Sequence, residues 1–323
     1  MQRRRFSGTL LAAAAVPWLL PHARAASQPL RIVVPFGPGG VADLTARSVA
    51  TRMADATGQP VVIDNKPGAG GVVAATTVAQ AAPDGLTLLL MSNASAVSEG
   101  LFKSLPYSAT KDFAPVVLLG TFDLAVLVAH ESPIRSMKEL IAQAKAQPGK
   151  LNIGTIAIGS TQHLAAELLK TTLGIDVQVV PFNGSGAVLN ALRGGQVDAA
   201  VEILAPVVAQ ISGKALRALA VMGDRPVPEL PGVPTVADSD PAAKGYNVTS
   251  WNALAAPART PPAVIARLNK DVNAALAAPD VKQRLASLGV QPHGGTPEQL
   301  AALLASEIQR WSSVIQRAGI PRQ

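Results

Sequence analysis

Residues 31–43 read RIVVPFGPGGVAD, and this stretch decides the fold class of the chain. A short apolar run, Ile32 to Val34, ends at Pro35 and passes through a glycine-rich loop into a helix-compatible segment that starts near Val41. The order strand, glycine loop and helix is typical of α/β proteins. Glycine adopts backbone angles that other residues avoid, and the first amides of a helix lack intrahelical partners. Such a corner either binds a carboxylate or phosphate or is a plain strand-to-helix turn, and this stretch alone leaves both open.

A second stretch repeats this pattern far downstream. Residues 179–186 read VVPFNGSG, which parallels VVPFGPGG at 33–40, and a helical pattern from Ala187 to Arg193 follows. Two similar corners indicate two similar domains. If each domain turns its corner towards a shared cleft, a small anion can be held between them with little need for charged side chains.

The composition is that of a globular protein of about two domains. The chain has 323 residues, of which 48% are hydrophobic and 15% are charged, enough for a large core. It contains no cysteine, which excludes disulfides, thiolate nucleophiles and cysteine metal sites. Its four histidines lack the spacing of a metal site, and the loop Gly37-Pro38-Gly39-Gly40 lacks the glycine spacing of a dinucleotide site. We therefore expect neither a metal nor another cofactor.

The first 25 residues have the pattern of a secretory signal peptide. Arginines at 3–5 precede an apolar stretch from Leu10 to Leu20, and Ala23-Arg24-Ala25 is a small-x-small cleavage pattern. We expect cleavage after Ala25, by an export route (twin-arginine or Sec) that the sequence leaves open. An uncleaved anchor is the alternative, but the apolar stretch is short and is broken by Pro17. No later run reaches the roughly 20 apolar residues of a membrane span, so the mature protein is expected to be soluble.

Nucleic acid is not an expected partner. Cleavage removes four arginines and no acidic residue, which lowers the formal net charge from +7 to +3. Aromatic residues make up only 3% of the chain, and no cluster of lysine and arginine follows residue 25. Both features argue against a surface that binds a polyanion.

The remaining chain alternates between strand and helix patterns, which predicts mostly parallel sheets. Val116 to Ala129 reads as two strand pieces split at Gly120 to Asp123, and we expect it to be the first crossing into a second domain. Val248 to Ala255 is expected to return to the first domain, with only helices after it, which Thr260 and Thr296 begin as caps. The predicted organisation is a first domain of residues 26–125 and 249–323 and a second domain of residues 126–248.

Polar residues follow two predicted strands at their carboxyl ends, where ligands of α/β sheets bind. Ser92 and Asn93 follow one strand, and Ser160, Thr161 and His163 follow another. Two of these also have purely structural interpretations. Ser160 can be the cap of the next helix, and His163 can be a satisfied, partly buried histidine.

The mature chain resembles the Bug-type extracytoplasmic solute receptors of tripartite tricarboxylate transporters. The resemblance covers nearly the whole mature chain in order. It runs from 31–40 to the helix with Trp311 and includes NKPGAGG at 65–71, APDG at 82–85, PGKLN at 148–152, GGQVD at 194–198 and TSW at 249–251.

The resemblance implies the type II periplasmic binding protein fold. This is an α/β fold of two domains, each with a mostly parallel sheet flanked by helices, and the ligand cleft lies between them. The resemblance further implies a receptor in the periplasm of a Gram-negative bacterium, with a small carboxylate ligand and integral-membrane transporter subunits as partners. We expect the receptor to be a monomer.

The resemblance also implies a set of site residues. In this family, loops of both domains bind one carboxylate of the ligand, partly through water. The first-domain contact falls on Phe36, Gly37, Pro38, Gly39 and Gly40, with Asp43 nearby, and the second-domain contact falls on Ser160, Thr161, His163, Phe182, Asn183 and Gly184. Ser92, Asn93, Ser185 and Glu202 complete the expected site.

Several positions depart from the family pattern where the far part of a ligand is expected. Glu202 replaces an aspartate, Phe182 a tyrosine, Ser95 a histidine and Asn252 an aromatic residue. We interpret Glu202 either as a contact for the far end of the ligand or as a structurally paired glutamate. The ligand therefore stays open among dicarboxylates, tricarboxylates, aromatic acids and amino acids.

Two other functions are alternatives to transport. A receptor of the same fold that feeds a signalling protein cannot be distinguished by sequence. A serine hydrolase needs a serine that is activated by a base, but GSTQH at 159–163 lacks the G-x-S-x-G elbow. Ser160 and His163, three residues apart at the start of a helix, are poorly placed for the histidine to activate the serine. We therefore expect no enzymatic activity.

Overall fold

The computed structural model describes residues 28–323. The predicted signal peptide, with its cleavage position after Ala25, lies outside the described residues. Among the helices of the described part, none combines the length and apolar character needed to cross a membrane.

Strands and helices alternate through most of the chain. The strands are β1 (Leu30–Val34), β2 (Val61–Asn65), β3 (Thr87–Ser92), β4 (Phe113–Ala129), β5 (Asn152–Ile156), β6 (Gln178–Phe182), β7 (Ala199–Ile203), β8 (Leu216–Val221), β9 (Thr249–Pro257) and β10 (Val290–Gly294). The helices are α1 (Val41–Thr57), α2 (Val72–Ala79), α3 (Asn93–Leu101), α4 (Met137–Ala146), α5 (Thr161–Leu173), α6 (Ser185–Arg193), α7 (Val208–Ser212), α8 (Val236–Ser239), α9 (Pro262–Ala277), α10 (Pro279–Ser287) and α11 (Pro297–Arg317).

The strands form a ten-stranded sheet in the order β2-β1-β3-β9-β4-β7-β5-β6, in which β8 and β10 also pair with β4. Strand β1 is parallel to β2 and β3, and β5 is parallel to β6 and β7. Within residues 28–323, every antiparallel strand pair includes β4 or β9. The sheet therefore has two parallel parts joined by these strands, which confirms the predicted α/β class.

Both faces of the first parallel part are buried. Ile32 and Val34 of β1 pack into a core with α1, α9 and α10, whereas Val33 packs into a core with α2, α3 and α11. Successive side chains of a strand point to opposite faces, so a strand covered on both faces reads as a continuous apolar run. This is why residues 32–34 are all apolar and why β1 ends where its loop becomes polar and glycine-rich.

Strand β4 is continuous, so the predicted break at Gly120 to Asp123 is wrong. This segment pairs with β9 on one side and, at Gly120, Thr121 and Phe122, with β10 as well. A Cβ atom on Gly120 would lie 2.6 Å from the carbonyl oxygen of Gln291 and 2.6 Å from Cγ1 of Val290. Glycine occupies this position because β10 approaches closely, and the chain does not turn there.

The sequence predicted only helices after β9, but the structure has a further strand, β10, in this region. Residues of β10 read VQPHG and pair antiparallel with β4. A short strand that contains proline has no clear sequence pattern, and its pairing depends on the position of β4.

The two predicted C-terminal caps have different outcomes. The Thr296 cap is confirmed, because its hydroxyl accepts a hydrogen bond from the Gln299 amide at 3.3 Å. The Thr260 cap is wrong: α9 begins after Pro261 with no side-chain cap, and the Thr260 hydroxyl is buried without a partner.

Candidate functional site

A cavity of about 220 Å³ lies at the carboxyl ends of β1, β3 and β5, and we call it the inner cavity. Residues from both parallel parts of the sheet and from β4 and β9 line it. They are Phe36, Gly40, Val41, Ala42, Ser92, Ala94, Phe122, Ile156, Ser160, Thr161, Gln162, Ile203, Ser250 and Asn252. This is the position where the topology of an α/β sheet places a ligand.

A second cavity of about 520 Å³, the outer cavity, adjoins the first. The two share Phe36, Ala94, Ile156 and Ser160. Most other residues of the outer cavity are apolar or glycine, and among them are Gly37, residues of the 67–71 loop and residues 157–159. By residue type, the inner cavity has more polar lining residues than the outer cavity.

A further cavity of about 320 Å³ lies behind the inner cavity. Phe122 and Ile203 line the inner cavity, and the next residue of each segment, Asp123 and Leu204, lines the cavity behind. We place the site in the inner cavity because the carboxyl ends of β1, β3 and β5 meet the N-termini of α1, α3 and α5 there.

The first predicted corner lies on the cleft. Gly40, Val41 and Ala42 line the inner cavity, and α1 begins at Gly40 with no side-chain cap. Its first-turn amides therefore have no side-chain partner and carry the positive end of the helix dipole. Pro38, Gly39 and Asp43 are not among the lining residues: Gly39 holds the loop in a left-handed conformation with φ +86°.

Asp43 is buried and bonded within the first part of the protein. Its carboxylate accepts hydrogen bonds from the Gly39 amide, the Arg47 guanidinium and the Asn65 side chain. With these partners it supports the loop and does not face the cavity.

Two predicted residues of α5 line the inner cavity. Ser160 lines both cavities and also caps α5, since its hydroxyl accepts a hydrogen bond from the His163 amide at 3.1 Å. Thr161 reaches across the cleft, where its hydroxyl lies 3.4 Å from that of Ser250 on β9. The two interpretations of Ser160, as a helix cap and as a site residue, are therefore compatible.

His163 does not line either cavity. It is buried with 5% exposure, its Nδ1 has no partner, and burial lowers its pKa to about 4. The ring is therefore neutral at pH 7 and adds no charge to the site.

The second predicted corner is not part of the cavity lining. The Phe182 side chain packs against a separate apolar cluster with Val188 and Leu192, and Asn183 and Gly184 are exposed. Helix α6 begins at Gly184, with φ +89°, and like α1 it has no side-chain cap. Ser185 does not line the inner cavity. Its hydroxyl donates a hydrogen bond to the carboxylate of Glu202.

Glu202 lies directly behind the cavity wall. It is 1% exposed, and its Oε2 accepts hydrogen bonds from Ser185 Oγ at 2.9 Å and from Gln162 Nε2 at 3.5 Å. Its Oε1 has no partner, and burial raises its pKa. Of these residues only Gln162 lines the cavity, so Glu202 acts on the site through Gln162.

The polar run after β3 forms the first turn of α3. Ser92 lines the inner cavity and caps α3 by accepting a hydrogen bond from the Ala94 amide at 3.2 Å. Asn93 is buried outside the lining and donates to the carbonyl of Thr249 at 3.2 Å, which ties α3 to β9.

Three polar lining residues were absent from the predicted site: Gln162, Ser250 and Asn252. Ser250 and Asn252 alternate on β9 with Trp251, which packs into the core on the other face. This period-two alternation was a readable signal. Asn252 is fully buried, and neither its Nδ2 nor its Oδ1 has a partner in the protein.

The protein family TctC, described as tripartite tricarboxylate transporter family receptor, matches residues 45–320. The chain is 37% identical over 298 residues to Protein BugT of Bordetella pertussis. The aligned region covers 91% of this chain and 90% of that protein.

Solved structures are similar over nearly their whole length. An R. palustris protein solved with adipate is 33% identical, with a TM-score of 0.81, and the match covers 91% of this chain and 98% of that one. MatC from Rhodopseudomonas palustris, solved with bound malate, is 35% identical, with a TM-score of 0.76 and coverage of 89% and 99%. These matches confirm the resemblance to Bug-type receptors, a class of binding proteins and not of enzymes. The chain belongs to the family of tripartite tricarboxylate transporter receptors.

Proposed function

We propose that this protein binds a small carboxylate in the inner cavity and delivers it to the integral-membrane subunits of a tripartite tricarboxylate-type transporter. The observation that carries the proposal is the N-terminus of α1, where Gly40, Val41 and Ala42 line the cavity and no side chain caps the helix. Unpaired amides at the positive end of a helix dipole are a binding site for an anion.

The other lining groups support an anion held without a countercharge. Ser92, Ser160 and Thr161 add hydroxyl groups, and no lysine, arginine or histidine occurs among the described residues of the inner cavity lining. Amide and hydroxyl donors stabilise a carboxylate without a buried cation that would need its own partner. Two relatives solved with adipate and with malate agree with a carboxylate ligand.

We propose the same domain organisation as the sequence predicts, with residues 26–125 and 249–323 in the first domain and 126–248 in the second. Strand β4 pairs with strands of both parts, and hinge bending at β4 and β9 would close the cleft. Closure would bring the uncapped N-terminus of α6, with Phe182, Asn183, Gly184 and Ser185, towards the ligand. The protein would act as a monomer in the periplasm of a Gram-negative bacterium, after cleavage behind Ala25.

A ligand screen tests the binding part of the proposal. The mature protein, residues 26–323, is heated with mono-, di- and tricarboxylates, aromatic acids and amino acids. A ligand at 100 times its dissociation constant adds about 2.7 kcal/mol to the free energy of unfolding, which raises Tm visibly. No shift with any acid, for folded protein free of copurified ligand, would contradict carboxylate binding.

Uptake measurements test the transport part. Deletion of the gene is expected to abolish uptake of the acid found in the screen, and the wild-type gene to restore it. Unchanged uptake, together with a lost transcriptional response to that acid, would instead identify a sensing receptor.

A further inference from the structure

We infer that the ligand has a single carboxylate, bound at the N-terminus of α1, and an uncharged hydrogen-bonding group at its other end, bound by Asn252. This inference rests on the proposed function and names the class of acid that the site prefers.

Asn252 has the properties of a ligand contact. It lines the inner cavity, is 0% exposed, and leaves both Nδ2 and Oδ1 without a partner in the protein. A buried amide without partners costs free energy, and native proteins satisfy nearly all such groups. One donor and one acceptor on the same side chain suit a hydroxyl, a carbonyl or an amide.

The strand order indicates the scale of the separation between the two parts of the site. Asn252 pairs with Ser92 of β3, and Val33 of β1 pairs with Leu89. In the strand order β1-β3-β9, the strand that leads into the α1 loop therefore lies two strands away from the strand that carries Asn252. Two strand spacings are about 10 Å. An extended six-carbon acid, with a hydrogen bond at each end, spans a distance of this order.

The charges around the cavity disfavour a second carboxylate at the Asn252 end. Among the described lining residues no side chain is cationic, and the first turns of α3 and α5 are already capped by Ser92 and Ser160. The buried carboxyl of Glu202 lies behind Gln162. A second anionic group would lose its hydration there without meeting an uncapped helix N-terminus of the kind that α1 offers the first.

Titration calorimetry at pH 7 with three acids of equal chain length tests this inference on the mature protein. The acids are adipate, 6-hydroxyhexanoate and hexanoate. We expect 6-hydroxyhexanoate to bind about tenfold more tightly than either of the others, because it alone pairs Asn252 without burying a second charge. This ranking differs from a preference for diacids, such as the adipate found on a relative at 33% identity.

Substitution of Asn252 tests its role directly. Asn252→Leu has a similar volume and removes both polar atoms, so 6-hydroxyhexanoate should then bind within about twofold of hexanoate. Asn252→Ala repeats the test if the leucine variant does not fold. Asn247→Leu is the matched control, because Asn247 Oδ1 is also buried without a partner but lies outside the cavity lining. It should leave the ranking unchanged.

Three results would overturn the inference. Adipate could bind more tightly than 6-hydroxyhexanoate, the preference for the hydroxy acid could survive both Asn252 variants, or none of the three acids could bind. In the last case the wider acid screen separates the two proposals, since a hit there keeps the receptor function and rejects only the class of acid named here.

Discussion

The backbone amide of Gly39 donates a hydrogen bond to the carboxylate of Asp43, with nitrogen and oxygen 2.9 Å apart. Arg47 Nε donates to the same oxygen at 2.9 Å, and Asn65 Nδ2 donates to the other oxygen at 2.9 Å. One buried carboxylate thus joins the glycine loop, α1 and β2, and so holds the loop that lines the cleft.

Asp43→Asn should lower the free energy of unfolding at pH 7 by about 2 kcal/mol, because it removes a charged acceptor of several hydrogen bonds. Affinity for the carboxylate ligand should fall as well, since the loop is less well held. Urea denaturation and calorimetry measure the two effects. Asp55→Asn, at an exposed position of the same helix, is the control and should change stability by less than about 0.5 kcal/mol.

The contribution of Asp43 should depend on pH in a defined direction. Burial raises its pKa, but hydrogen bonds from Arg47, Gly39 and Asn65 outweigh burial and hold the pKa below its usual value. The stabilisation is therefore complete above the unfolded aspartate pKa of about 3.9 and is lost as pH falls through the folded pKa. The stability difference between wild type and Asp43→Asn should stay constant from pH 7 to 5 and shrink below pH 4. A difference that shrinks already at pH 6 would contradict this assignment.

Gly39→Ala should weaken ligand binding, whereas Gly58→Ala should not. Both glycines have positive φ, +86° and +68°, and an added Cβ would meet no atom within 4 Å at either position. Each substitution should therefore cost about 1–2 kcal/mol of stability from backbone strain alone. Gly58 ends α1 far from the cleft, so only Gly39→Ala distorts the anion-binding loop. If the two folded variants bound the carboxylate ligand with equal affinity, the loop that contains Gly39 would not be part of the site.

His163 should make the protein less stable in mild acid. Its pKa is about 4 in the folded protein because of burial, and about 6.5 when unfolded. The unfolded chain binds the proton first, so stability is complete above pH 6.5 and falls by up to about 3 kcal/mol towards pH 4. In His163→Gln this pH-dependent loss should disappear. Chemical denaturation between pH 4 and 7 measures the free energy of unfolding of both proteins. An equal decrease in this free energy for wild type and His163→Gln as pH falls would contradict the expectation.

Glu202→Gln should stabilise the protein at neutral pH. Burial raises the pKa of Glu202, so its ionised form is penalised in the folded state. The penalty appears as pH rises above the unfolded glutamate pKa of about 4.3 and is complete above the folded pKa. The advantage of the glutamine variant should therefore be small at pH 4 and grow towards pH 7, as measured by chemical denaturation. A glutamine variant that is less stable at every pH would mean that the carboxylate has a partner that glutamine cannot replace.

Gly120→Ala should destabilise the protein by about 2 kcal/mol, because the new methyl group would overlap Gln291 and Val290 of β10. Gly186→Ala is the matched control. Gly186 lies in α6 with no atom near an added Cβ, so alanine there should stabilise by about 0.5–1 kcal/mol. Thermal denaturation distinguishes the two, and a neutral Gly120→Ala would mean that β10 moves aside without cost.

Local patterns predicted the elements well where the signal was complete within a few residues. The start of α1 at Val41 is as predicted, since the glycine-rich loop directly precedes it. The Ser160 and Thr296 caps are also as predicted. Gly120 misled the sequence interpretation because its cause is the backbone of β10, more than 160 residues away in the chain.

The candidate site divides in the same way. The predicted residues that line a cavity, Phe36, Gly37, Gly40, Ser92, Ser160 and Thr161, follow strand ends directly, so their position depends on local order. Phe182 ends β6 and His163 lies in the first turn of α5, but Phe182 packs against an apolar cluster and His163 is buried. Which way a side chain points there depends on the helices packed around it.

By itself, the sequence determined the α/β class, the two glycine corners and the family, because these depend on short motifs and on the alternation of strand and helix patterns. Only the tertiary structure decided that Asp43 supports the loop, that Glu202 lies behind Gln162, and that both polar atoms of Asn252 lack a partner in the protein. The physical reason is that hydrogen-bond satisfaction and burial are set by neighbours distant in the chain. The pairing of β9 with β3 and β4 brings the face of β9 that carries Asn252 to the cleft.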